Sequence, residues 1–115
     1  MKEFEKLKQD YPQLMDLYCF SGICDGWVTE LVRPLCEELK NYSIKFNQIK
    51  EKFGGLRLYY TLDIDEQPIR DLIESYIEKA ENESYHVCEI CGSRENVTTE
   101  GGWLRTLCAT CSVSG

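Results

Sequence analysis

Cys88-Glu89-Ile90-Cys91-Gly92 and Cys108-Ala109-Thr110-Cys111-Ser112 place two Cys-x-x-Cys pairs sixteen residues apart, at the end of a 115-residue chain. Four thiolates at that spacing suit one tetrahedral metal ion, because each pair wraps a single turn of backbone around it. The intervening stretch has the length of one short hairpin. Asn96–Thr99 and Trp103–Leu107, joined at Glu100-Gly101-Gly102, are predicted as its strands, and Gly92 supplies the positive-φ turn of the first knuckle. Four sulfurs leave no open coordination position, so the expected ion is a structural Zn2+ held by Cys88, Cys91, Cys108 and Cys111. The missing glycine in the second knuckle argues against a symmetrical rubredoxin-like iron site. His86, two residues before Cys88, is the one alternative ligand, and four cysteines already satisfy the ion.

Working outward, residues 1–85 are predicted as an α+β core domain and 86–115 as the zinc-ribbon module. Lys2–Tyr18 reads as helical, with a restart at Asp10-Tyr11-Pro12. Asp25 is the expected cap of a second helix over Trp27–Asn41, where Trp27, Leu31, Leu35 and Leu39 recur every four residues and Pro34 marks a kink. Ser43–Ile49 and Leu56–Leu62 read as two strands turning at Gly54-Gly55, with Phe53 plugging the core and Arg57 and Tyr59 on the opposite face. Arg57 is expected to bridge to an acid of the next helix. That helix starts at Asp65 and Pro68 and carries Ile69, Leu72, Ile73, Tyr76, Ile77 and Ala80 on one face and acids on the other. The fold class is therefore α+β: N-terminal helices, a small antiparallel hairpin or sheet, a long amphipathic helix and a C-terminal zinc ribbon docked on it.

The formal net charge is -7, and residues 61–85 hold eight acids against two bases. An acidic surface repels phosphate backbones and lowers the expectation of nucleic-acid binding. Against that trend, Lys50, Lys52 and Arg57 cluster with Tyr59 on the hairpin and suit an anionic partner. Trp103 and Arg105 mark a second candidate surface on the ribbon. Seven cysteines, an odd number, and an N-terminus without an apolar block point to reduced thiols in the cytoplasm, and no membrane span is present. Cys19, Cys24 and Cys36 lie among apolar neighbours and read as small buried hydrophobes. A thiol enzyme built from Cys24 or Cys36 with His86 has no local support, and there is no phosphate-binding loop.

Lys50-Glu51-Lys52-Phe53-Gly54-Gly55-Leu56-Arg57-Leu58-Tyr59-Tyr60, the Gly26-Trp27 helix and the terminal Cys-x-x-Cys-Gly … Gly-Trp-Leu-Arg-Thr-Leu-Cys-x-x-Cys resemble a family of small, largely uncharacterised bacterial and phage proteins. The similarity covers roughly residues 26–111, and some relatives carry a Cys-x-x-His-like pair where this chain has Cys108 and Cys111. It implies a zinc-ribbon phage-type protein, with no activity attached. The expected function is a non-enzymatic protein-interaction module that binds a host protein through its acidic helix face or its aromatic ribbon; inhibition of a defence enzyme, with the acidic helix filling a basic nucleic-acid channel, is one form of that expectation. The alternative is a zinc-ribbon nucleic-acid-binding regulatory protein using Lys50, Lys52, Arg57, Arg94 and Arg105.

Overall fold

The structure, a computed structural model, describes residues 2–114. It is mixed α+β, with a three-stranded sheet backed by helices and a two-stranded ribbon at the C-terminal end. Helix α1 (Lys2–Asp10) buries Phe4 and Leu7. Pro12 then opens a single 3-10 turn, Pro12–Leu14, and the chain extends into strand β1 (Met15–Ser21).

Strand β1 corrects the expectation of a helix through Tyr18. Pro12 starts a new turn instead of prolonging α1, and Met15 and Cys19 are buried while Leu17 is 79% exposed, the reverse of a helix burying its leucines. Tertiary pairing decides the matter: β1 runs parallel to β2 (Ile44–Lys52), with Met15 opposite Phe46 and Phe20 opposite Gln48. A parallel pair needs a long crossover, and the helical segment 25–39 supplies it. That segment is α2 (Asp25–Trp27), a π turn (Val28–Val32) and α3 (Arg33–Leu39). Pro34 has no N–H to give the turn before it, and the wide π turn precedes the proline, so the segment continues past it. Asp25 makes no capping hydrogen bond with its side chain. It is the first helical residue, not the cap, and its Oδ1 is buried without a partner among the described residues.

Strands β2 and β3 (Gly55–Leu62) form a hairpin with Lys52 opposite Gly55. The turn is one residue earlier than Gly54-Gly55 suggests. Phe53 and Gly54 are its central residues, at φ 56° and 81°, a pair of positive values that matches the twist of tight hairpins. Gly55 belongs to the strand, where a Cβ would collide with the Tyr85 ring. Phe53 does not plug the core; its ring is 68% exposed.

Helix α4 (Gln67–Glu83) buries Ile73, Ile77 and Ala80 against the inner face of the sheet, as its periodicity predicts, while Leu72, expected on the same face, is exposed. It also closes the β3 edge. The N–H of Leu56 donates to Ser84 Oγ and that of Leu58 to Glu81 Oε2, both at 2.9 Å. The acid of the helix thus meets the strand backbone, while Arg57, expected to make that bridge, bonds the Leu56 carbonyl. The core between sheet and helices is filled by Trp27, Phe46, Leu7, Leu14, Leu39, Ile44, Ile49 and Leu56. No helix is long and apolar enough to cross a membrane among the described residues.

Candidate metal centre

A 3-10 turn at Ser84–His86 delivers the chain from α4 into the first knuckle. The Cys88 N–H donates to the Ser93 carbonyl at 2.8 Å and the Gly92 N–H to the Cys88 carbonyl at 2.9 Å. Gly92 has φ 82°, the left-handed turn expected of it. The ribbon, β4 (Val97–Glu100) and β5 (Arg105–Cys108), returns the chain so that Cys108 ends β5 directly opposite Val97. Helix α5 (Ala109–Ser114), absent from the sequence reading, then turns Cys111 back toward Cys108, and the Cys111 N–H points at the Cys108 sulfur at 3.4 Å.

These turns bring the ligand atoms of Cys88, Cys91, Cys108 and Cys111 within 4.8 Å of one another. Cys91 and Cys108 sulfurs are 3.7 Å apart, far beyond a disulfide bond of about 2.05 Å. That separation is the edge of a tetrahedron with metal–sulfur bonds of about 2.3 Å. Burial pushes the Cys88 thiol up, yet backbone N–H groups of Cys91, Cys108 and Ile90 outweigh it and bring it down to about 6. Cys111 goes the other way, up to about 12, because the sulfurs of Cys108 and Cys88 hold its proton. Crowded thiols of this kind cannot all ionise alone, and a divalent cation removes the conflict. The residues therefore fit a metal ion. His86 is exposed and lies outside the cluster.

The knuckle is joined closely to the rest of the molecule. Val87 sits in the hydrophobic core, and its carbonyl accepts the Trp27 indole N–H at 2.8 Å. Thr106 Oγ1 donates to the Gly54 carbonyl at 2.5 Å, tying the ribbon to the tip of the β2–β3 hairpin. Between the first two ligands, Glu89 is 6% exposed. Its Oε1 accepts Arg105 Nη2 at 2.8 Å and Nε at 3.0 Å, and its Oε2 accepts the Thr106 N–H. Hydrogen bonds to Glu89 and its charge hold the Arg105 guanidinium above its ordinary value.

Compared with protein-family models, curated proteins and solved structures, the chain matches none.

The other candidate residues divide into three places. Lys50, Arg57 and Tyr59 come together on the outer face of the sheet, with Lys50 Nζ 5.5 Å from the Tyr59 ring centre. Lys52 stands at the hairpin end, where Glu51, Phe53, Gly102, Trp103 and Leu104 join it around a cleft of about 430 Å³. Trp103 is 82% exposed at the ribbon turn, not folded over its own hairpin. Arg105 is engaged by Glu89, and Arg94 reaches Glu83 at 3.5 Å. Phe53 is the residue that sequence reasoning missed at the tip; the available signal was an aromatic directly before the first of two glycines.

Proposed function

We propose that the chain is a zinc-stapled, non-enzymatic protein-interaction module that binds through the adjoining tips of its hairpin and ribbon. Zinc is the metal that best suits four thiolates without an open position, and in such a site it supplies folding free energy in place of Lewis-acid chemistry. The observation that carries the binding role is Phe53. A bulky residue at φ 56° costs about 1 kcal/mol against glycine or asparagine, and its ring is left in solvent beside Trp103. Strain kept at an exposed aromatic supports selection for contact over stability. The thiols outside the metal cluster do not form an activated nucleophile: burial raises Cys19 and Cys24, and pushes Cys36 up to about 12.

The test is affinity capture from lysate of the source cells on immobilised zinc-loaded protein, after nuclease treatment. One stoichiometric protein, retained by wild type and by Leu17→Ala but lost with Trp103→Ala and Phe53→Ala, is the expected result. Equal retention by all four baits would reject the tip as the contact.

A further inference from the structure

The outer face of the three-stranded sheet is organised in rows that no helix covers among the described residues. Phe20 on β1 pairs with Gln48 on β2, and Gln48 pairs with Tyr59 on β3, so the three side chains cross one face of the sheet in a line. Two residues along, Lys50 pairs with Arg57, and Lys52 follows at the next position of the same face. Neighbouring Ile49, paired with Ser21 and Leu58, is fully buried on the inner side, which fixes the direction of the row. Phe20 is 56% and Tyr59 41% exposed. The two rings stand on either side of Gln48, two strand spacings or roughly 10 Å apart.

Among the described residues, the cations of this face meet no carboxylate. Arg33, Lys40, Lys79, Arg94 and Arg105 each meet a carboxylate within 4.0 Å, but Lys50, Lys52 and Arg57 do not. Glu51, the acid between the lysines, alternates to the other side and accepts the Gly54 N–H at 2.7 Å. Lys50 and Arg57 are directly opposed, an arrangement of like charges that costs stability in an isolated hairpin. Helix α4 packs its apolar side on the inner face of the sheet, so the acids of that helix lie on the other side of the sheet from this row.

We infer that this face binds a single-stranded nucleic acid, with bases stacked on Phe20 and Tyr59 and phosphates held by Lys50, Lys52 and Arg57. Flat aromatic rings beside a cationic row are what a sequence-tolerant strand platform requires, since every base has a π-face and every nucleotide a phosphate. Gln48, between the rings, has an amide that can donate to and accept from a base edge. Duplex cannot use the rings because its bases are already stacked. Lys52 is the one residue this surface shares with the cleft at the hairpin and ribbon tips; Phe20, Gln48, Lys50, Arg57 and Tyr59 lie outside that cleft, and the inference does not rest on the protein-binding role proposed for the tips.

The experiment is fluorescence anisotropy of the full, zinc-loaded chain with labelled 12-mers of oligo-dT and oligo-U, a 12-base-pair duplex, polyphosphate and poly-glutamate. Binding of the single strands is expected, with three phosphate contacts giving a log–log salt slope of about -2 and a roughly fifteen-fold loss between 50 and 200 mM salt. Phe20→Ala and Tyr59→Ala should each weaken it by roughly five-fold or more. Lys50→Glu and Arg57→Glu should lower both affinity and slope, while Trp103→Ala leaves binding intact. Circular dichroism and zinc content establish that each variant is folded. Equal competition by polyphosphate with no effect of the aromatic variants would reduce the face to a generic anion patch and overturn the inference. Preference for poly-glutamate over the oligonucleotides, loss of binding in Trp103→Ala, or no binding by the folded protein at 50 mM salt would overturn it as well.

Discussion

Gly26 lies flat against the backbone of the first knuckle: a Cβ on Gly26 would stand 2.5 Å from the Cys88 carbonyl oxygen, 2.6 Å from the Gly92 nitrogen and 2.7 Å from the Glu89 carbonyl oxygen. All three are main-chain atoms fixed by the turn that presents the cysteines. In an open helix, Gly→Ala stabilises by about 1 kcal/mol. Here the sign reverses. Gly26→Ala should destabilise by about 2 kcal/mol, since overpacking a site walled by backbone forces the helix and knuckle apart. Denaturant titration of the zinc-loaded protein measures it, and an increase in stability would show that the two do not dock.

Metal removal should reach beyond the ribbon. The Trp27 indole bonds the Val87 carbonyl one residue before the first ligand, and Val87 and Cys88 are fully buried. Structural zinc sites contribute on the order of 10 kcal/mol apparent free energy. In a Trp103→Phe background, where Trp27 is the sole tryptophan, chelation or Cys108→Ser should red-shift the emission and lower Tm. Unchanged Trp27 emission with a disordered ribbon would show that the core stands alone.

The cysteines outside the metal cluster should be poor nucleophiles. With Cys36 at about 12 through burial, its thiolate fraction at pH 8 is roughly one in ten thousand, and Cys19 and Cys24 are raised by the same cause. A raised pKa keeps the thiol protonated below it, so labelling should climb with pH through the alkaline range. Zinc-loaded native protein is expected to show no rapid Ellman reaction at pH 7.5, and all seven cysteines should react after chelation and denaturation. A fast, single-site reaction in the native state would reopen a thiol enzyme.

The ion pair inside the knuckle carries a separate load. Glu89 is buried between Cys88 and Cys91, and Arg105 is its only cation among the described residues. Breaking a buried pair by removing one partner costs about 3–5 kcal/mol; Arg105 is partly solvated, so Arg105→Ala should cost about 2 kcal/mol. Zinc affinity should fall with it, because the stranded carboxylate belongs to the buried residue next to Cys88, inside the first knuckle. Arg105→Lys should recover only part, since one ammonium cannot reproduce the Nε and Nη2 contacts. Competition with a chromogenic chelator separates the variants, and equal zinc affinity in all three proteins would mean that the pair does not support the site.

The legible parts of this fold were those that local spacing controls. Cys88, Cys91, Cys108 and Cys111 are two short-range pairs, and Ile73, Ile77 and Ala80 repeat at the helical period, so both features follow from nearest neighbours along the chain. Strand β1 is different. Leu14 and Leu17 fall at helical spacing by coincidence, and what makes Met15–Ser21 extended is its pairing with Phe46 to Ile49, after a long crossover. Without β1 the row of Phe20, Gln48 and Tyr59 cannot be seen, which is why Phe20 was absent from the candidate residues. Two adjacent glycines likewise concealed the turn. Gly55 is needed for the approach of Tyr85, and the positive φ falls on Phe53.

That last assignment yields the sharpest contrast between stability and binding. Asn-Gly is the preferred central pair of a hairpin turn with two positive φ values, because asparagine tolerates the left-handed region and phenylalanine does not. Phe53→Asn should therefore raise stability by about 1 kcal/mol, there being no buried contact to lose from a ring that is 68% exposed. The cation over that ring, Lys52 at 5.7 Å, is an exposed interaction worth less than the strain. The same substitution should abolish capture of the protein partner. If Phe53→Asn is instead destabilising by 1 kcal/mol or more, the ring supports the fold, and the tip loses its claim as a binding surface.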